Sequence, residues 1–330
     1  MEKAVEIVDF HAHIMSLAGI EKVFPESRNT FIFRHVVPFA EPIADLTESV
    51  HDRMMRFIAM NFNDDMSRFV YSRFGLVVLA EALRLFKRHG LERLIHSMDR
   101  LGISQSVIHS LEPLTTTQEI LDETSKYPGR FCVFGSVESS HPDPVGYLAP
   151  FIENGLIHGV KIHPMVGGYQ PKNFKDNAGD FVALASEFGL PVAIHTGHIP
   201  IEVLSKDVTC LKLGEIAPLI RAFPKCIFIL NHMGWESWRG AIELAKRCDN
   251  IILETSWQPA KIIRRAVDAV GPERVLFGSD FPLFQQSQAL VEVRKALSFK
   301  EFRLVASENG KRLLKHNTPS QQELATKRAI

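Results

Sequence analysis

The feature that most constrains this chain is a rhythm. Short apolar runs recur from about residue 105 onward, separated by stretches with helical periodicity. The runs are 105–112, 130–138, 159–164, 191–197, 226–234, 250–256 and 274–282, and an earlier one spans 5–13. Each is rich in Val, Ile, Leu and Phe, as strands covered on both faces of a parallel sheet must be. Between them, 181–188, 213–223 and 241–248 carry apolar residues at i, i+3, i+4 spacing, the mark of amphipathic helices. Eight strands alternating with helices predict an α/β fold, a closed (β/α)8 barrel, in a single domain over 1–330. The rival, an open doubly wound sheet, lacks a G-x-G-x-x-G turn after its first strand.

One segment breaks the rhythm. Residues 14–90 separate strand 1 from the helix before strand 2, and they are rich in Phe. Two amphipathic helices are expected there, over 44–62 and 66–88. An insertion at that point lies at the C-terminal mouth of the barrel, as a lid, a substrate wall, a dimer contact or plain cover for one side. The polar stretch 316–330 is expected to be frayed or weakly docked.

Composition narrows the function classes. Lys plus Arg and Asp plus Glu are 38 each, and no basic run is interleaved with aromatics, so nothing favours a nucleic-acid partner. No apolar run reaches the ~18 residues needed to span a membrane. Cys132, Cys210, Cys226 and Cys248 form no C-x-x-C and read as reduced structural thiols. The N-terminal MEKAVEIVDF enters a strand directly and does not resemble a signal peptide, so a cytoplasmic location is expected.

The chemistry gathers at strand ends. Six of the fourteen histidines, His11, His13, His163, His195, His198 and His232, lie at or just past them, and Asp280 ends the last strand. His11 and His13 are two apart and share a face, as do Lys161 and His163. Two imidazoles at adjacent inward positions need a shared partner, and His with a carboxylate at one rim is the donor set of a divalent metal such as zinc. Ordinary alternatives stand beside these readings. Asp280 suits a helix N-cap or turn, Lys161 a simple ion pair, and His163, before Pro164, the closing of a strand. His109 and His198 read as supporting or structural.

Taken together, DFHAH (9–13), GVKIHP (159–164), PVAIHTG (191–197), NHMG (231–234) and FGSDFP (277–282) resemble the amidohydrolase superfamily. Within it they are most similar to the amidohydrolase-2 group, which includes aminocarboxymuconate-semialdehyde and resorcylate decarboxylases and pyrone-dicarboxylate lactonase. The likeness runs from residue 5 to about 315, where SENGKRLL resembles the group's last helix, and excepts the 14–90 insertion. It implies a mononuclear metal site of His11, His13, His195 and Asp280, with zinc the favoured ion. Asp280 would also act as general base, His232 would polarise substrate or shuttle a proton, and Lys161 and His163 of GVKIHP count with them as catalytic candidates. Other branches bridge two metals with a carboxylated strand-4 lysine, so Lys161 leaves a second ion open. A free Lys161 would instead meet a substrate carboxylate.

The resemblance implies hydrolysis of an ester, lactone or amide of a small molecule. Non-oxidative decarboxylation of an aromatic or unsaturated acid is the alternative, and a non-catalytic metal-binding barrel a third reading. Trp235, Trp238 and Trp257 hint at an aromatic or apolar substrate wall. A homodimer is the expected assembly.

Overall fold

A computed structural model describes residues 5–14, 57, 90–198 and 211–316. The expected helices over 44–62 (residue 57 apart) and 66–88, the polar 316–330 tail apart from its first residue, and Cys210 lie outside them. Eight parallel strands form one sheet in the order of the chain: β1 Ile7–Ala12, β2 Ile103–His109, β3 Phe131–Ser136, β4 Gly159–Ile162, β5 Val192–His195, β6 Phe228–Asn231, β7 Ile251–Glu254 and β8 Val275–Leu276. The barrel closes between its first and last strands. Phe10 N–H donates to Phe277 O at 2.9 Å, Asp280 N–H to His11 O at 2.7 Å and His13 N–H to Phe281 O at 2.7 Å.

Around the sheet run α1 Leu91–Leu101, α2 Thr117–Thr124, α3 Pro144–Glu153, α4 Phe174–Glu187, α5 Leu213–Ala222, α6 Trp238–Arg247, α7 Ala260–Val270, α8 Gln286–Ala296, α9 Phe299–Arg303 and α10 Asn309–His316. Their sequences explain them. Helix α1 buries Leu91, Leu94 and Met98 on one stripe and stops at Gly102, whose φ of 69° suits a residue without Cβ. Helix α2 starts at a capping box in which Thr116 and Glu119 each bond the other's backbone.

Two apolar layers result. The larger packs helices against the outside of the sheet. The smaller fills the barrel with Val8, Phe10, Val107, Phe134, Ala193, Ile229, Ile252 and Leu276, and Leu313 and Leu314 of α10 pack against it. This inner layer positions the site. Side chains alternate across a strand, so the residue two places after an inner apolar one also points inward. Val107 is followed in this way by His109, Ala193 by His195, Ile229 by Asn231 and Ile252 by Glu254. Strand β1 departs from simple alternation. Its register with β2 shifts between Asp9 and Ala12, so Phe10 belongs to the inner layer, the next residue, His11, reaches the polar centre, and Ala12 joins the outer core.

Candidate metal centre

Of the residues singled out from sequence, His11, His13 and Asp280 meet most closely. His11 Nε2 lies 3.0 Å from His13 Nε2, and Asp280 Oδ1 lies 3.2 Å from the former and 3.1 Å from the latter. All three are buried, and neither Asp280 oxygen accepts a hydrogen bond among the described residues. Donor atoms of His11, His232 and Asp280 also fall within 4.8 Å of one another. His195 reaches this group through His232, with Nδ1 3.1 Å from His232 Nε2.

The hydrogen bonds around the ring nitrogens decide which of them carry lone pairs. Glu254 Oε2 also takes the His232 backbone N–H and Asn231 Nδ2–H, groups that can only donate, so it is an acceptor, His11 Nδ1–H donates to it at 2.9 Å and His11 Nε2 carries no hydrogen. His13 Nδ1–H donates to His109 O at 2.9 Å, which bares Nε2 there too. Two lone pairs therefore face each other at 3.0 Å beside an unbonded carboxylate. A cation between them would relieve that opposition, and donors roughly 3 to 3.5 Å apart are what two ligands of one small divalent ion require. His195 Nε2 is a further buried ring nitrogen with no hydrogen-bond partner among the described residues. The residues thus fit a divalent metal.

Burial, then the charge of Lys161, holds His11 and His195 well below the ordinary imidazole pKa, so both rings are neutral ligands at neutral pH. Lys161 is fully buried. Desolvation pushes its ammonium down to about 7, against the pull of Asp280 and Glu254. Its Nζ donates to Asn231 Oδ1 and lies 3.5 Å from His11 Nε2.

Sequence reasoning missed Glu254 and Asn231. Glu254 takes Ser256 Oγ–H at 2.8 Å, the His232 backbone N–H at 3.2 Å and Asn231 Nδ2 at 3.3 Å on the oxygen that holds His11. Burial pushes its carboxyl up to about 7, and those bonds oppose the rise. Such a partner orients a ligating imidazole and raises its basicity. The signal was present in NIILE and FILN: polar residues ending buried strands, two places after inner apolar ones.

The outcome for the other candidates is mixed. Strand alternation gives the inward place at the end of β6 to Asn231. His232 turns inward because its backbone is left-handed at φ 60°, and Asp280 does the same at φ 63°. His163 is buried and stacks on His195, ring centroids 4.0 Å apart at 11°, while its Nδ1 accepts Val166 N–H at 3.3 Å. The bond to Val166 fits the strand-closing role, and the stack supports His195. His109 is sandwiched between His11 and Phe134 at 4.5 and 5.0 Å. Trp257 packs on His232 at 4.6 Å and edge-on to Trp235 at 5.2 Å. Trp238 lies under Arg239 and Arg265 instead.

Comparison with known proteins bears on the family and the fold. The family model described as Amidohydrolase matches residues 8–317. A comparison with curated protein sequences found no match. Among solved structures the chain is similar to 5-carboxyvanillate decarboxylase from Sphingomonas paucimobilis, at 15% identity and a TM-score of 0.59 over 94% of this chain and 99% of that one. It is similar to an amidohydrolase from Burkholderia multivorans with bound zinc, at 16% identity and 0.55 over 74% and 93%. A dihydroxybenzoic acid decarboxylase from Polaromonas with bound manganese matches at 16% identity and 0.53 over 77% and 92%. At these identities the likeness shows the fold.

Proposed function

This chain belongs to the amidohydrolase family, and we propose that it is an enzyme that uses one divalent cation, with zinc favoured, to hydrolyse an ester, lactone or amide of a small molecule. The observation that carries this reading is the pair of bare imidazole nitrogens, 3.0 Å apart, beside the unbonded carboxylate of Asp280. A cation bound there would polarise a carbonyl and lower the pKa of water toward ~7. His11, His13, His195 and Asp280 would hold it. Asp280 has two oxygens free of hydrogen bonds, so one is left to take a proton from the attacking water. His232, its ring within reach of the same group, carries a proton between nucleophile and leaving group. Lys161 is engaged by Asn231, which supports a lysine that serves as a free amine at the site and not as a carboxylated bridge between two ions. His163 acts by stacking against His195.

Decarboxylation of an aromatic acid is the second reading. It is supported by the likeness to two decarboxylase structures and by Lys161, a cation at the site able to meet a carboxylate. Elemental analysis of protein purified without chelator tests the metal. One zinc or manganese per chain is expected, lost in a His11→Ala, His13→Ala double variant. Two ions per chain would turn Lys161 into a bridge, and none after resupply would overturn the reading. A panel of aryl esters, lactones and phenolic carboxylic acids, with carbon dioxide measured separately, decides the reaction. Turnover of an ester or lactone without gas release is expected, and gas release from a phenolic acid establishes the second reading instead.

A further inference from the structure

We infer that Ser256 is a positioning residue that fixes the tautomer of His232, so that His232 Nε2 accepts from His195 Nδ1–H and leaves His195 Nε2 bare for a cation. The inference rests on the reading of His195 as a metal ligand and sharpens it. Ser256 Oγ lies 2.8 Å from Glu254 Oε2 and 2.6 Å from His232 Nδ1. A hydroxyl has one hydrogen, and a carboxylate can only accept. The serine hydrogen therefore goes to Glu254, and Oγ accepts Nδ1–H from His232. That leaves the lone pair on Nε2. At 3.1 Å from it, His195 Nδ1 must then be the donor, so His195 Nε2 is bare, as a metal ligand requires.

The reversed network fails twice. With the proton on His232 Nε2, the serine hydrogen would be needed by both Nδ1 and Glu254, and one of two short buried bonds would be lost. His195 would carry its proton on Nε2, where the cation needs a lone pair. The surroundings hold the chosen arrangement. The Ser256 backbone N–H also donates to Glu254, so one carboxylate grips that serine at two points. Trp257 covers a face of the His232 ring. Glu254 thereby orients two imidazoles with different tasks, His11 directly and His232 through one hydroxyl.

The consequence is chemical. His232 Nε2 carries no proton, and its lone pair is held by His195 Nδ1–H, so His195 is kept in the one tautomer whose Nε2 can bind a cation. His232 has no proton on Nε2 to place on a ring carbon, the first demand of decarboxylation.

The test is spectroscopic and needs no substrate. Zinc-loaded protein labelled with 15N-histidine would be studied by long-range 15N–1H correlation at neutral pH, with His232 assigned by its absence in His232→Gln. The expected result is a single tautomer with Nδ1 protonated. Ser256→Ala should give a mixture, and Ser256→Thr, which keeps the hydroxyl, should restore the single form, with zinc content and circular dichroism unchanged. A proton on Nε2 in the unsubstituted protein, or an Ala variant with the original tautomer, overturns the inference. If the Ala variant does not fold, the wild-type spectrum alone decides. Unchanged zinc content in His195→Ala would instead overturn the ligand role of His195, and the spectrum keeps the two failures apart.

Discussion

Gly278 shows how little room the centre leaves. A Cβ there would lie 2.4 Å from Glu254 Oε1 and 2.9 Å from the Cβ of His11. The carboxylate cannot swing away cheaply, because the donors of His11, Asn231, His232 and Ser256 converge on it. Gly278→Ala should therefore displace Glu254 from His11 Nδ1. Loss of such a partner typically weakens metal binding about 10–100-fold. Zinc titration against a chromophoric chelator measures this, and unchanged affinity would mean that Glu254 does not orient His11. The direct comparison is Glu254→Gln. Its side chain can present an N–H to His11 Nδ1, which removes the acceptor that keeps Nε2 bare, and affinity should fall in the same range.

At the scale of elements, the seam between β1 and the chain after β8 holds the site. Strand β8 is only Val275–Leu276, shorter than the apolar run 274–282 suggests. The rest of that run serves the seam: Phe277, Asp280 and Phe281 bond backbone to β1 and the residue after it, and Ser279 bonds Asp9. Asp9 is buried beneath the seam. It accepts Ser279 Oγ–H at 2.6 Å, Ser279 N–H at 2.9 Å and Gln286 Nε2 at 2.7 Å. Desolvation nonetheless pushes its carboxyl up to about 6 from an ordinary 3.8. The folded chain then binds that proton more tightly than the unfolded chain does. The contribution is present in full below the unfolded pKa and is lost as pH rises through about 6. Stability measured by urea unfolding of zinc-loaded protein, wild type minus Asp9→Asn, should therefore fall between about pH 4 and pH 6. A difference flat across that window would show that Asp9 titrates normally.

The same elements show how far the sequence could be read. All eight strands were legible, because each is a compact apolar run whose only stable place is a sheet covered on both faces. His11, His13 and Asp280 were legible as a group, because polar residues ending such runs must share a partner. The register shift in β1 was not, since it depends on pairing with a strand almost a hundred residues away. The left-handed backbone of His232 was equally hidden, and alternation alone gives its inward place to Asn231. Glu254 was overlooked although the alternation in NIILE pointed to it.

For the whole molecule, the proposed site couples cation and fold. Its ligands would come from both sides of the β1–β8 seam, so a bound ion would stabilise the closed barrel and do little for the unfolded chain. Free metal at about 1,000 times its Kd adds roughly 4 kcal/mol by mass action. Removing it with chelator should lower Tm by several degrees, and resupplying zinc should restore it. A scanning calorimetry trace indifferent to chelator would argue that the ion does not bridge the seam. No helix among the described residues is long and apolar enough to cross a membrane.

The separation of the ligands along the chain has a consequence for how the protein is made. His11 and His13 leave the ribosome first, while Asp280, their nearest carboxylate, follows only after seven strands have been synthesised. On the proposed ligand set, a nascent chain can offer an ion two imidazoles at first, a third once His195 has emerged, and no carboxylate until Asp280 follows. Tight loading must wait until the last strand has emerged and docked against the first, so the completed site is also a record that the barrel was finished.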